Sequence, residues 1–201
     1  MARQARELSG TGIYHVMLRG INRQNIFYDD EDYLHFRQVL FLMVHPADEL
    51  TGNPLPSYCI FYAYCLMSNH VHLLVRETTE SLASVIKRIG VSYAYFFNKK
   101  YTRYGHLFQD RFRSEPVNDR AYFFTLLQYI HQNPVAAGLS MDVAGYRWSS
   151  WSEYEKSGAN IPNICNTNHV LKRMYHGDRP PDRRVFLITP KEKTRVCCHP
   201  A

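Results

Sequence analysis

Residues 57–75 constrain the fold more than any other part of the chain: SYCIFYAYCLM, then Ser68-Asn69, then HVHLLV. The first run is too aromatic and β-branched for a helix, and a short polar break between two apolar runs is the pattern of a β-hairpin. Residues 12–19 (GIYHVMLR) read as a further strand, followed by the turn-rich GINRQNIF. Residues 30–45 read as a helix, with Asp29 or Asp30 as N-cap, more acids in its first turn, and Leu34, Val39, Leu42 and Met43 spaced for an apolar face. PADELTGNPLP is a loop rich in helix and strand breakers.

Residues 80–100 read as a second helix with Ser81 near its cap and Gly90 as a mild interruption. GHLFQDRFRSEPV is too mixed for a helix and predicts a short strand near 111–117. Residues 119–132 read as a third helix, with Asn118 or Asp119 as N-cap, and the proline rule places its end near Asn133, before Pro134. GYRWSSWSEY adds a short aromatic segment behind it. The order β, α, β, β, α, β, α predicts an α+β fold, an antiparallel sheet with helices packed on one face in the ferredoxin-like manner.

A chain of 201 residues suits one well-buried domain with an appendage. No apolar run approaches membrane-spanning length and the N-terminus lacks a signal-like apolar stretch, which predicts a cytoplasmic protein with no membrane partner. Five cysteines, Cys59, Cys65, Cys165, Cys197 and Cys198, show no CxxC spacing; they suit a reducing compartment and argue against zinc. The net charge of +6 points to a polyanionic partner. Two regions concentrate it. Residues 163–201 carry eight Lys and Arg against three acids, and the window Lys87–Arg113 carries seven against Asp110 alone. A basic tail fits either a solvated extension or a nucleic-acid arm.

His70 and His72 stand two apart on a strand, so both point to one face while Val71 turns to the other. Two imidazoles on one rigid surface can share a metal ion, and they also fit two half-exposed sheet histidines. Tyr129 and Asn133 are four apart and stack on one helical face. Tyrosine offers a phenolic nucleophile and asparagine a carbonyl oxygen for a hard cation, although the same helix reads equally as a packing surface and Asn133 as a C-terminal cap.

YAYCLMSNHVHLLV at 62–75, GHLFQDRFRS at 105–114, YIHQNPVAAGL at 129–139, YRWSS at 146–150 and HVMLRGINRQNIF near the N-terminus, taken together, resemble the HUH-type tyrosine transposases. More narrowly they resemble the REP-associated subgroup of the insertion sequence 200-like superfamily. The resemblance covers residues 12 to 154 and implies a catalytic domain over 1–155 with a basic extension, partly ordered or flexible, over 156–201. It implies that His70 and His72 hold Mg²⁺ or Mn²⁺, that Tyr129 is the catalytic tyrosine, and that Asn133 stands where relatives place a polar third ligand. Asn69 precedes the first histidine in many relatives and is expected either to orient it or to serve the turn.

The implied reaction is metal-dependent nicking and strand transfer on single-stranded hairpin DNA, a REP-like palindrome or an element end, through a 5′-phosphotyrosine. The enzyme is expected as a monomer or homodimer. Basic and aromatic residues interleave in the window Lys87–Arg113, a pattern that suits single-stranded DNA. The DNA-binding candidates are Lys87, Arg88, Lys99, Arg111 and Arg113, with Arg19, Asn22 and Arg23 of LRGINRQ as readers of a short sequence beside the hairpin; the last three also fit a locally capped turn. The alternative is a domesticated protein that binds hairpin DNA or RNA without cutting. A third reading, a hydrolase with a water nucleophile, leaves Tyr129 a positioning role.

Overall fold

Alternation along the first strand divides its side chains between two cores. From β1 (Ile13–Arg19), Tyr14, Val16 and Leu18 join one apolar cluster and Ile13 joins another on the opposite face. The computed structural model describes residues 7–109, 112–155 and 163–174. Its elements are β1, α1 (Asp30–Val44), the hairpin of β2 (Cys59–Met67) and β3 (His70–Glu77), α2 (Leu82–Lys100), β4 (Arg113–Pro116), α3 (Arg120–Ala136), α4 (Trp151–Glu155) and α5 (Thr167–Met174). The strands form one antiparallel sheet in the order β2-β3-β1-β4. The expected α+β class and the ferredoxin-like succession of elements are therefore present.

The expectation of helices on one face needs correction. α1 and α2 cover the face carrying Val16, Leu66, Val71 and Leu73, whereas α3 covers the other, packing Phe123, Leu126, Leu127 and Ile130 against Ile13, Cys65, Met67 and Leu74. The reason lies in β2 and β3, which are buried on both faces over most of their length, so that one layer of helices leaves apolar surface in water.

The apolar face of α1 also differs from expectation. Phe36, Val39, Leu40 and Met43, spaced i, i+3, i+4, i+7, are buried, while Leu34 and Leu42 are 54% and 45% exposed. Asp29 caps α1 in a reciprocal capping box with Asp32, Ser81 caps α2, and Asp119 caps α3. Pro134 does not stop α3, which runs on to Ala136. Only one turn follows the proline; Pro134 is buried and Val135 packs on the second core, which offsets the missing hydrogen bond, and Gly138 at φ 70° then closes the helix.

The β2–β3 turn is gripped from outside by the segment after β1. Ser68 O accepts from the amides of Ile26 and Phe27, and Asn69 O accepts from Gly20 N at 2.9 Å. Gly20 allows this close fold, since a Cβ there would run into the carbonyl of Gln24. Residues 163–171 lie along β2: Asn166 N donates to Phe61 O, and Cys165 N donates to Glu153 Oε2 at 2.8 Å. Cys59, Cys65 and Cys165 are buried free thiols, and Cys197 and Cys198 lie outside the described residues. Among the described residues no helix is long and apolar enough to cross a membrane.

Candidate active site

Register brings the site together. Across β1 and β3, Met17 pairs with His72 and Arg19 with His70; across β1 and β4, His15 pairs with Glu115 and Met17 with Arg113. All of these stand on the face that α3 crosses. Tyr129 and Asn133, one turn apart on α3, close an open cleft of about 460 Å³ that also includes Arg19, His70, His72 and Arg113.

The two histidines are held differently. His70 Nδ1 lies 2.6 Å from Asn69 Oδ1, and Asn69 Nδ2 donates to Arg23 O at 3.1 Å. The second bond orients the Asn69 amide so that its oxygen meets His70; Nδ1 of His70 therefore carries the proton and Nε2 keeps its lone pair. His72, 2% exposed, has its Nε2 3.1 Å from Asn133 Nδ2 and its Nδ1 3.0 Å from His15 Nε2. The His70 and His72 ring centroids are 4.9 Å apart, and the Tyr129 ring stands edge-on to His72 with centroids 5.6 Å apart.

Burial, helped by the charge of Arg19, pushes His70 down to about 4. Burial likewise pushes His72 well down, with His15, His70 and Arg19 adding to the effect. Both imidazoles are thus neutral near pH 7, the form that binds cations. Among the described residues no three His, Cys, Asp or Glu side chains converge into a metal cage. The donor set here is two neutral imidazoles and an amide, and turning that amide over presents Asn133 Oδ1 in place of Nδ2. Such a set fits a divalent ion that keeps positions open for other ligands.

Of the residues singled out from sequence, the structure gathers His70, His72, Tyr129, Asn133, Arg19 and Arg113 around one cleft. Arg19 Nε is buried with no hydrogen-bond partner among the described residues. Asn22 and Arg23, at φ 51° and 59°, form the short turn tied to Asn69, at the His70 end of the sheet. Lys87, Arg88 and Lys99 lie on α2, which covers the opposite face, and are not brought to this cleft. Lys87 lines a second, apolar cleft of about 590 Å³ with Gly90, Phe108 and Phe112, and Arg88 pairs with Glu80 at 2.9 Å over the Tyr58 ring. Arg111 lies outside the described residues.

Two residues of the site escaped the sequence reading, His15 and Glu115. The available signal was parity: His15 shares the alternating positions of Met17 and Arg19 on β1, the face opposite Tyr14, Val16 and Leu18.

A family model described as "Transposase IS200 like" matches residues 10–133. Among solved structures, the chain is similar to a REP-associated tyrosine transposase bound to a REP hairpin, at 16% identity and TM-score 0.61, over 89% of this chain and 93% of that one. A candidate transposase from Deinococcus radiodurans R1 shares 15% identity at TM-score 0.38, over 65% of this chain and 96% of that one, too slight a likeness to carry weight. No curated protein matches the chain.

Proposed function

The chain belongs to the IS200-like transposases, and from that premise we propose that it cuts and rejoins single-stranded, hairpin-bearing DNA with Tyr129 as nucleophile. The observation that carries the reading is the convergence of Tyr129, His70, His72 and Asn133 on one cleft, with Tyr129 edge-on to His72 and Asn133 hydrogen-bonded to it. The shared fold of the REP-associated structure, which holds a REP hairpin, supports a REP-like palindrome or an element end as substrate.

His70, His72 and Asn133 would hold Mg²⁺ or Mn²⁺, which when bound offsets charge that develops at the scissile phosphate. Arg19 and Arg113 bring positive charge to the same cleft and receive the phosphate backbone. Tyr129 attacks phosphorus, forming a 5′-phosphotyrosine and releasing a 3′-hydroxyl on the other fragment. The phosphodiester energy stays in that link, so a second 3′-hydroxyl displaces Tyr129 and rejoins the strands without ATP. Asn22 and Arg23, next to the β2–β3 turn, read nucleotides flanking the hairpin. Lys87, Arg88 and Lys99 on α2, Arg111, and the basic extension 156–201 beyond the catalytic body 1–155 add further phosphate contacts.

The test is incubation of labelled single-stranded hairpin DNA with protein and Mn²⁺, followed by a denaturing gel. Wild-type protein is expected to give a metal-dependent, slowly migrating adduct, and Tyr129→Phe to shift the DNA on a native gel without cutting it. Binding without cutting by both proteins would support a non-catalytic hairpin binder instead. Cutting with no adduct would make water the nucleophile.

A further inference from the structure

His72 is not an isolated imidazole; it is one station in a buried line of groups that ends in a carboxylate. Its Nδ1 lies 3.0 Å from Nε2 of His15, and His15 Nδ1 lies 3.8 Å from Glu115 Oε2, an ion-pair separation. Glu115 Oε1 accepts from the Tyr122 hydroxyl at 2.5 Å. The His15 and His72 ring planes are within 13° of each other, and both rings meet Tyr129 edge-on. Both histidines are buried, His15 being 5% exposed, so bulk water is no alternative partner for the facing nitrogens.

The direction of the protons along this line follows from either end. A carboxylate only accepts, so Nδ1 of His15 carries a proton toward Glu115, and in that tautomer its Nε2 offers a lone pair. That lone pair obliges His72 Nδ1 to donate and leaves His72 Nε2 bare. From the other end, the Asn133 NH₂ only donates, so His72 Nε2 accepts and Nδ1 again carries the proton. The two ends agree. The His15 ring, 3.8 Å away, and the hydrogen bond from the Tyr122 hydroxyl hold the Glu115 carboxyl below the usual carboxylate range, so it is an anion near pH 7.

We propose that His15 and Glu115 are positioning residues: together they lock the tautomer and ring orientation of His72, so that its Nε2 lone pair faces the cleft when the Asn133 amide turns away. The proposal rests on the reading of His72 as a metal ligand. The physical need is general, because a ligating imidazole with an unpartnered second nitrogen can rotate or carry its proton on the wrong side. β1 supplies the partner here. Its pairing with both β3 and β4 seats His15 between His72 and Glu115, where no change confined to the hairpin could place it.

The experiment is long-range ¹H–¹⁵N correlation on metal-free, ¹⁵N-histidine-labelled protein at pH 7.5, paired with Mn²⁺ titration calorimetry. Wild-type His72 is expected to show a protonated Nδ1 and a bare Nε2. His15→Phe, which keeps a ring but offers no acceptor, is expected to lose that tautomer and to bind Mn²⁺ about 10- to 100-fold more weakly. His15→Gln, whose carbonyl can accept from Nδ1, is expected to recover most of the loss. If His15→Phe does not fold, Glu115→Gln at the half-exposed end of the line remains, expected to weaken Mn²⁺ binding in the same direction by less. A protonated Nε2 on wild-type His72, or Mn²⁺ binding unchanged in folded His15→Phe, overturns the proposal. Equal Mn²⁺ binding by wild type and His72→Ala would instead remove the metal reading, whereas the tautomer, recorded without metal, still decides the relay.

Discussion

Asn69 shows how much one side chain can settle: its NH₂ holds the Arg23 carbonyl and its oxygen fixes the proton of His70. Asn69→Ala should lower stability by about 1–2 kcal/mol in urea unfolding, from two lost hydrogen bonds, and weaken Mn²⁺ binding through a freed His70. Asn69→Asp keeps the acceptor and loses the donor, so it should retain more Mn²⁺ binding than the alanine variant. Histidines also set an acid dependence. Burial holds both His70 and His131 down to about 4, against 6.5 for a free histidine; His131 donates from Nδ1 to Leu127 O and accepts at Nε2 from Ser150 Oγ. The unfolded chain takes up protons below pH 6.5 that the folded chain refuses, so their contribution is full above pH 6.5 and is lost as pH falls toward 4. Metal-free protein at pH 5 should therefore lose about 2 kcal/mol relative to pH 7.5 from each of these two histidines, with buried His72 adding to the loss, and His70→Gln should remove only the His70 share, about 2 kcal/mol. His70, His72, Tyr129 and Asn133 were legible in sequence through spacing and resemblance. His15 and Glu115 were not, because their importance depends on which residues of three strands lie opposite one another, and a strand does not state its register.

The elements were read more securely than their packing. The hairpin, three capped helices and the succession of strands and helices along the chain follow from local patterns, because caps, turns and periodicity act over a few residues. Two features depended on distant surfaces. Pro134 has the ordinary chemistry of a helix stop, yet burial of Pro134 and packing of Val135 carry α3 one turn further, beyond Asn133. On the expected stripe of α1, Val39 and Met43 are buried, but Leu34 and Leu42 give way to Phe36 and Leu40, because several apolar residues compete and the choice belongs to the shape of the sheet and α2. Phe36→Ala should cost about 3–5 kcal/mol in urea unfolding, while Leu34→Ala should stay within about 1 kcal/mol of wild type. Similar losses in the two variants would mean that α1 packs on a different face from the one described.

For the whole molecule, the two faces of one sheet divide the work. α1 and α2 make an apolar support on one face, so β1, β3 and β4 can present polar groups on the other without losing the core. α3 then serves both ends: its first turns bury Phe123, Leu126 and Leu127, and its last turns bring Tyr129 and Asn133 over His72. That third helix, crossing the face a one-sided ferredoxin-like arrangement leaves open, turns a scaffold into a site. The central claim is that Tyr129 is the residue that becomes joined to DNA. Its most direct test is to trap the adduct on a nicked hairpin substrate in Mn²⁺, digest with trypsin and nuclease, and locate the phosphonucleotide by mass spectrometry. The peptide of residues 121–147 carries Tyr122, Tyr129 and Tyr146. The account predicts the modification on Tyr129 alone; a phosphonucleotide on Tyr122, on Tyr146 or on a tyrosine of another peptide would contradict it.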